Sequence, residues 1–211
     1  GTAYERTADG QLKVDKDGYP IVAPEQKILG NPNPDFALIF GNALQYRGFR
    51  LDFDLEWSKG GKVWNGTRQM LNYMGRSMET STERLLKDQL FTGIDPQGNR
   101  NSKLVDYYDP ALGTENNRWV RYGLSGVAED VIEDASYLRL SSVNLSHSFD
   151  LSWRYLKKID LTLYAENLMY WSKYKGNYSG ASLLGQRNAV GLDYFNSPLM
   201  KTFGFKVVLN F

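Results

Sequence analysis

Cysteine is missing from all 211 residues, and histidine occurs once, at His147. The first absence excludes a disulfide framework and any thiolate metal site. A single imidazole cannot build a zinc site of the usual type, and among Ser146, Ser148 and Phe149 it reads as structural. No serine stands in a nucleophile-elbow context, and phosphate-loop and dinucleotide fingerprints are absent. No catalytic residue, metal or cofactor is therefore expected. An apolar run of about 18 residues is also lacking, which excludes a transmembrane helix. A membrane barrel stays open, because its strands show as alternation at low mean hydropathy. Charge of one sign is not in excess. With 25 Lys+Arg against 24 Asp+Glu the net charge is +1, and nothing favours nucleic acid as a partner. Gly1 opens no signal peptide, which fits a cytosolic protein, a mature chain or a cut end, and Gly1-Thr2 suits the last.

Aromatics and glycine are plentiful instead. Aromatics make up 14% and glycines number 20, a composition of β-structure with many turns. The length admits one large or two small domains. From Lys201 to the end, Phe203, Phe205, Val207, Leu209 and Phe211 alternate with Thr202, Gly204, Lys206, Val208 and Asn210. A period of two puts the five large apolar groups on one strand face, over a length that fits a bilayer-spanning strand of about 9–11 residues. Phe49, Leu51, Phe53, Leu55 and Trp57 alternate as strictly with Arg50, Asp52, Asp54, Glu56 and Ser58. Arg47-Gly48 joins that strand to Phe36–Tyr46 as a hairpin. Ile159 to Ala165 is a further alternating strand. Within Tyr137 to Phe149 the phase slips: Leu138 and Leu140 fall on one face, Val143, Leu145 and Phe149 on the other. That slip predicts a bulge near Ser141-Ser142.

Residues 1–35, 59–135 and 170–200 read as loop. Asp9-Gly10, Asp17-Gly18-Tyr19-Pro20 and Asn31-Pro32-Asn33-Pro34 are turn and breaker signals, and such proline density prevents a central strand. Asp15-Lys16-Asp17-Gly18 carries part of a calcium loop, but the remaining ligand positions are missing and a turn is the reading. Met70, Leu71, Met74, Leu85, Leu86 and Leu90 among charges predict one or two amphipathic helical turns within 69–90. The strands are thus joined alternately by short and by long connections. Membrane barrels have that asymmetry, with short periplasmic turns and long extracellular loops. Aromatics mark the strand ends: Tyr46, Phe49, Trp153, Tyr155 and Phe211 on the short-turn side, Trp57, Tyr170 and Trp171 on the other. The fold class expected is all-β: antiparallel up-and-down strands, part of a transmembrane β-barrel with long extracellular loops. A soluble β-sandwich binding carbohydrate through surface aromatics is the alternative.

Several segments resemble the C-terminal barrel part of SusC/RagA-type TonB-dependent receptors. They are Ile28-Leu29-Gly30-Asn31-Pro32-Asn33-Pro34-Asp35-Phe36, Trp57-Ser58-Lys59-Gly60-Gly61-Lys62-Val63-Trp64-Asn65-Gly66-Thr67-Arg68, Glu133-Asp134-Ala135-Ser136-Tyr137-Leu138-Arg139-Leu140, Leu163-Tyr164-Ala165-Glu166-Asn167-Leu168 with Trp171-Ser172-Lys173-Tyr174, and Lys201-Thr202-Phe203-Gly204-Phe205. The resemblance runs in family order from about Ile28 to the C-terminus. It implies residence in the bacterial outer membrane of Bacteroidetes, import of an oligosaccharide or peptide, and a SusD-like surface lipoprotein as lid. It also implies drive by TonB with its inner-membrane complex. The family's barrel has about 22 strands around a plug. Residues 1–211 would then be the C-terminal portion of such a barrel, without the plug. Five strands cannot close, so this portion alone is not expected to transport anything. The closing aromatics Phe203, Phe205 and Phe211 resemble the family's membrane-insertion signal.

Two sets of side chains invite a chemical reading. Asp52, Asp54 and Glu56 stand about 6.5–7 Å apart on one strand face, a distance that overlaps the carboxyl separation of inverting glycosidases. Any alternating polar face gives that spacing, and no enzyme is expected. The loop aromatics Trp64, Tyr73, Trp119, Tyr122, Trp171, Tyr174 and Tyr178 are the candidates for stacking on substrate or packing on a partner protein. Packing of the long loops on one another is the plain alternative for each.

Overall fold

All five predicted strands form in the computed structural model, which describes residues 1–113, 116–180, 182–183 and 190–211, with the backbone alone at Leu112. In chain order the strands are β1 (Phe36–Tyr46), β2 (Phe49–Lys59), β3 (Lys62–Asn65), β4 (Ile132–Asp134), β5 (Tyr137–Asp150), β6 (Lys158–Ser172), β7 (Leu192–Asp193) and β8 (Thr202–Asn210). The five long ones make one antiparallel sheet in the order β1-β2-β5-β6-β8. The chain divides into two units, each described by itself. A sheet unit comprises Pro32–Lys62, Asp134–Gly191 and Asn196–Phe211, and a loop unit comprises Gly1–Asn31, Val63–Glu133 and Leu192–Phe195.

Register sorts the sheet into two faces. Phe53 lies beside Asn42 and Val143, Leu145 beside Leu51 and Leu163, and Leu163 beside Phe205. One face therefore carries Leu38, Phe40, Leu51, Phe53, Leu140, Val143, Leu163, Phe203 and Phe205, with Asn42 and His147 as its polar members. The opposite face carries Arg50, Asp52, Asp54 and Glu56, then Arg139, Ser142 and Asn144, then Asp160 and Lys206. The apolar face is uncovered: Leu38 is 55% exposed, Phe40 56% and Phe205 72%. A sandwich buries the inner face of each sheet. That alternative does not describe this chain.

The predicted bulge is present. Asp54 pairs Ser142 while Leu55 pairs Leu140, so Ser141 is the extra residue. At the same level β6 inserts a residue more, since Leu140 pairs Met169 and Ser142 pairs Glu166, and Asn167 takes a positive φ of 55°. The bulge absorbs the phase slip and returns Leu138 and Leu140 to the face of Val143, Leu145 and Phe149. Tyr170, expected among the aromatic strand ends, pairs Arg139 and so belongs to the polar face.

Local chemistry fixes the remaining details. Arg47 and Gly48, with φ of 47° and 84°, form the two-residue turn whose twist suits a hairpin. The His147 ring leaves no room for a Cβ at Gly48. It stacks on Phe49 at 4.1 Å and meets Phe149 edge-on at 4.4 Å. On β8, Gly204 lies under the ring of Tyr164, its neighbour on β6. An aromatic covering a strand glycine in this way restores lost contact.

Much of what reads as loop is folded. Tyr4 bridges Val22, Val14 bridges Pro20, and Lys13 bridges Ile94, which ties the first residues to the middle of the chain. Asp15 Oδ1 accepts from the Asp17 and Tyr19 amides, so Asp15–Gly18 is a turn. Helix α1 (Gly66–Tyr73) starts at the cap Asn65, and α2 (Met78–Glu83) at the cap Ser77. β3, β4 and β7 form a short sheet in the order β4-β3-β7. Tyr4, Val14, Tyr19, Val63, Val105, Val127 and Val131 are buried and supply the loop unit's core. In the predicted 170–200 loop, residues 181 and 184–189 lie outside those described.

Deleting Ser141 tests the role of the bulge. The deletion should turn Arg139 onto the apolar face and Leu138 and Leu140 off it. A cation on that face costs from about 0–1 kcal/mol near an interface up to about 2–4 kcal/mol at the midplane, and Arg139 stands next to the level of Trp57 and Trp171. The expected outcome is loss of protease-resistant sheet in detergent, and unchanged resistance would contradict it.

Candidate functional site

In the loop unit, Tyr73 and Trp119 come together although they lie far apart in sequence. They line a groove of about 280 Å³ with Asn72, Thr80, Arg84, Tyr108 and Asn117. Tyr73 ends α1, Thr80 and Arg84 come from α2 and its C-terminal cap, and Asn117 begins the turn that carries Trp119. Among the described residues the buried Trp119 indole N–H has no hydrogen-bond partner. A second cavity of about 30 Å³, room for a water, shares Asn72, Tyr73 and Trp119 and adds Tyr122, Asp130 and Gln69.

Ionic and polar contacts hold the two short helices in place. The half-buried Arg68 on α1 pairs with Glu79 on α2 through Nε at 2.7 Å and Nη2 at 2.6 Å. It also reaches Glu133 at 3.3 Å and donates to the Asp130 carbonyl at 3.0 Å. Asn72 donates to Glu79 at 3.2 Å, and Asn65 to Glu133 at 3.1 Å. A buried charge is tolerable only when its lone pairs and protons are satisfied, and this network does so. Around Tyr122 the surroundings are tight. Its hydroxyl donates to the Pro20 carbonyl at 2.7 Å, its ring meets Tyr4 edge-on, and burial pushes its phenol well above the ordinary range. Tyr4 is raised too, first by burial and then by Asp130, to which its hydroxyl donates at 2.6 Å. Arg118 lies over Phe91, Tyr107 and Trp119. Burial opposes its charge, yet Asp130 and Tyr4 raise it above its ordinary value.

A second cluster sits on the sheet's polar face. Tyr137, Tyr170 and Tyr178 form a triangle with ring centroids 5.5–5.6 Å apart. The Tyr178 hydroxyl donates to that of Tyr137 at 3.3 Å, and Arg139 lies over the Tyr178 ring. Glu56 accepts from Tyr137 and pairs with Arg139. Neither Tyr137 nor Tyr170 is among the contact candidates read from the sequence, where Tyr170 is a strand-end aromatic and Tyr137 only begins a strand. Their shared signal is an aromatic on the polar phase at the end of adjacent strands.

The other candidates are engaged elsewhere. Trp64 donates to Gln69 at 3.0 Å and stacks on Tyr194 at 6.1 Å. Tyr174 is buried, with its ring over Gly176. Trp171 is a half-exposed member of the apolar face beside Leu138. Phe203 and Phe205 share that face on β8, and Phe211 follows the strand, 78% exposed. The three carboxylates on β2 have structural partners: Asp52 takes Arg50, Asp54 takes Ser142 and Glu56 takes Arg139. Among the described residues no acidic or histidine cluster suits a metal ion.

No family model matches the chain. Its sequence is 29% identical to TonB-dependent receptor P3 of Formosa agariphila (strain DSM 15362 / KCTC 12365 / LMG 23005 / KMM 3901 / M-2Alg 35-1), across 96% of this chain and 19% of that protein. TonB-dependent receptor P26 of the same organism is 24% identical, across 90% of this chain and 18% of that one. Among solved structures, the RagAB peptide importer in its "open-open" state contains a chain that matches all of this one with a TM-score of 0.56, at 15% identity and over 22% of that chain. In the "closed-closed" state the TM-score is 0.54 at 16% identity, over 99% of this chain and 21% of that one. Over nearly its whole length the chain is similar in sequence to TonB-dependent receptors, and its fold matches part of a RagAB importer chain. It spans about one fifth of the length of the curated relatives it matches. The apolar sheet face and the aromatic groove belong to separate units.

Acid should loosen the loop unit at a known contact. Arg6 holds the Glu129 carboxyl below its ordinary value of 4.5, and Glu129 Oε2 also accepts from the Tyr4 amide at 2.9 Å. A depressed carboxyl contributes stability above its unfolded value, and that contribution is lost as pH falls through the folded value. Hydrogen-exchange protection of the Tyr4 amide should hold above about pH 4.5 and decline below it. Glu129→Gln should remove the pH dependence. Onset of the decline above pH 5 would contradict the assignment.

Proposed function

We propose that this segment forms part of the wall of an outer-membrane TonB-dependent nutrient importer. Its apolar sheet face lies against lipid, its polar face lines the lumen, and its long connections lie outside the cell. There they touch an oligosaccharide or peptide substrate, or a SusD-like lid lipoprotein. The observation that carries the proposal is the continuous apolar face of the five-stranded sheet, uncovered from Leu38 to Phe205. Soluble monomers rarely expose contiguous apolar patches beyond a few hundred Å². Aromatics at both ends of that face, Phe49 and Phe149 at one and Phe36, Trp57 and Trp171 at the other, support two interfacial girdles. Coupling to TonB and its inner-membrane complex belongs to the whole receptor. Of the loop aromatics, Tyr73 and Trp119 are the proposed contacts, with Tyr178 facing the lumen. Trp64, Tyr122 and Tyr174 serve packing, and Trp171 faces lipid. The insertion-signal role of Phe203, Phe205 and Phe211 belongs to the same proposal, supported by the exposure of all three side chains.

Single cysteines test the wall, and the absence of native cysteine keeps the chain free of background. In bilayers, Cys at Leu163 or Leu145 should resist a water-soluble maleimide, and Cys at Thr162 or Asn144 should react at least ten times faster. Equal reactivity at neighbouring positions would overturn the proposal.

A further inference from the structure

We propose that the groove lined by Tyr73, Arg84, Tyr108, Asn117 and Trp119 binds a uronic acid residue of an acidic saccharide through its carboxylate. The proposal deepens the importer reading, on which it rests for the biological role of the ligand. Its starting point is an imbalance between hydrogen-bond donors and acceptors.

The acceptors bordering the groove are already occupied. Asn72 Oδ1 accepts from the Ser77 hydroxyl, Asn117 Oδ1 from the Trp119 amide, and the Gly75 carbonyl from Arg84 Nη2. The donors are not. Trp119 Nε1 is buried without a partner, and the Asn117 side-chain amide, the Tyr73 and Tyr108 hydroxyls and Arg84 Nη1 make no hydrogen bond among the described residues. Arg84 is fixed rather than floppy, because its Nε donates to the Thr80 carbonyl at 3.0 Å. Among the described residues no acidic side chain lines the groove, and Arg84 is its only guanidinium. Such a site asks for an anionic ligand that is mainly an acceptor.

Size and surface select among such ligands. A volume of about 280 Å³ lies just under the range of drug-sized pockets and suits a single ring. Tyr73, Tyr108 and Trp119 offer aromatic surface for the C–H face of a sugar. A peptide brings an N–H donor with nearly every residue, and those donors would meet donors here and remain unpaired. A uronate presents a carboxylate to Arg84 and ring and hydroxyl oxygens to the indole, amide and phenol groups.

Calorimetric titration of the full chain in detergent tests this, with trigalacturonic acid, maltotriose and trialanine as probes. Trigalacturonic acid should bind at least about tenfold more tightly than either other probe. Trp119→Phe keeps an aromatic, though smaller, ring and removes the N–H, and it should weaken binding about tenfold. Arg84→Gln should do the same and abolish both the preference over maltotriose and the salt dependence. Protection of the Tyr4 amide in each variant checks that the unit stays folded. No heat with trigalacturonic acid, equal binding of maltotriose, a preference for trialanine, or indifference to both substitutions would overturn the proposal. The titration needs no bilayer. A null result beside alternating cysteine reactivity rejects the groove and leaves the wall, whereas binding without alternation rejects the wall alone.

Discussion

Strand register is the constraint on which the sheet depends. Side chains alternate across a strand, so a slip of one residue would exchange Phe53 for Asp54 and turn a charged face toward the apolar side. Five strands must agree on one phase, and β5 by its raw spacing does not. The additional residues at Ser141 on β5 and around Asn167 on β6 bring its two halves back into agreement at one level of the sheet. Once the faces agree, the polar side can close its own contacts. Asp54 reaches Ser142 across the strands, and Glu56 reaches Arg139 and Tyr137.

On the proposed wall reading, two solvents explain why the units are built so differently. Against lipid, a backbone group finds no water, and only continuous strand pairing satisfies it. β2, β5 and β6 are paired on both sides, and β1 and β8 are the edges. The loop unit keeps its apolar groups in a small interior instead, and it uses Arg68, Glu79 and Glu133 to fasten short helices that have little intrinsic stability. Those fastened helices fix Tyr73 and Arg84, and the turn after Asn117 fixes Trp119. A groove with directed donors is the result.

The sheet was legible because period-two alternation is a signal each strand carries by itself. Even the bulge left a trace, in the changed phase between Leu140 and Val143. The sandwich alternative arose because alternation does not say what covers the apolar face. The loop unit was not legible, since Val14, Val63, Val105 and Val131 reach one core from scattered positions joined by single bridges, without periodicity. For the same reason Tyr73 and Trp119 were visible as aromatics but not as neighbours. Trp171 was visible as an aromatic after a strand, and only the register with Leu138 assigns it to the apolar face.

Depth-resolved quenching by brominated lipids tests the central claim, that the apolar face lies against the bilayer. The chain has five tryptophans, and single-tryptophan versions in bilayers read each position separately. Trp57 and Trp171 on the sheet face should be quenched strongly by bromine placed near the headgroups, whereas Trp64 and Trp119 in the loop unit should be quenched weakly at every depth. Quenching of Trp57 and Trp171 no stronger than that of Trp64 and Trp119 would contradict the account.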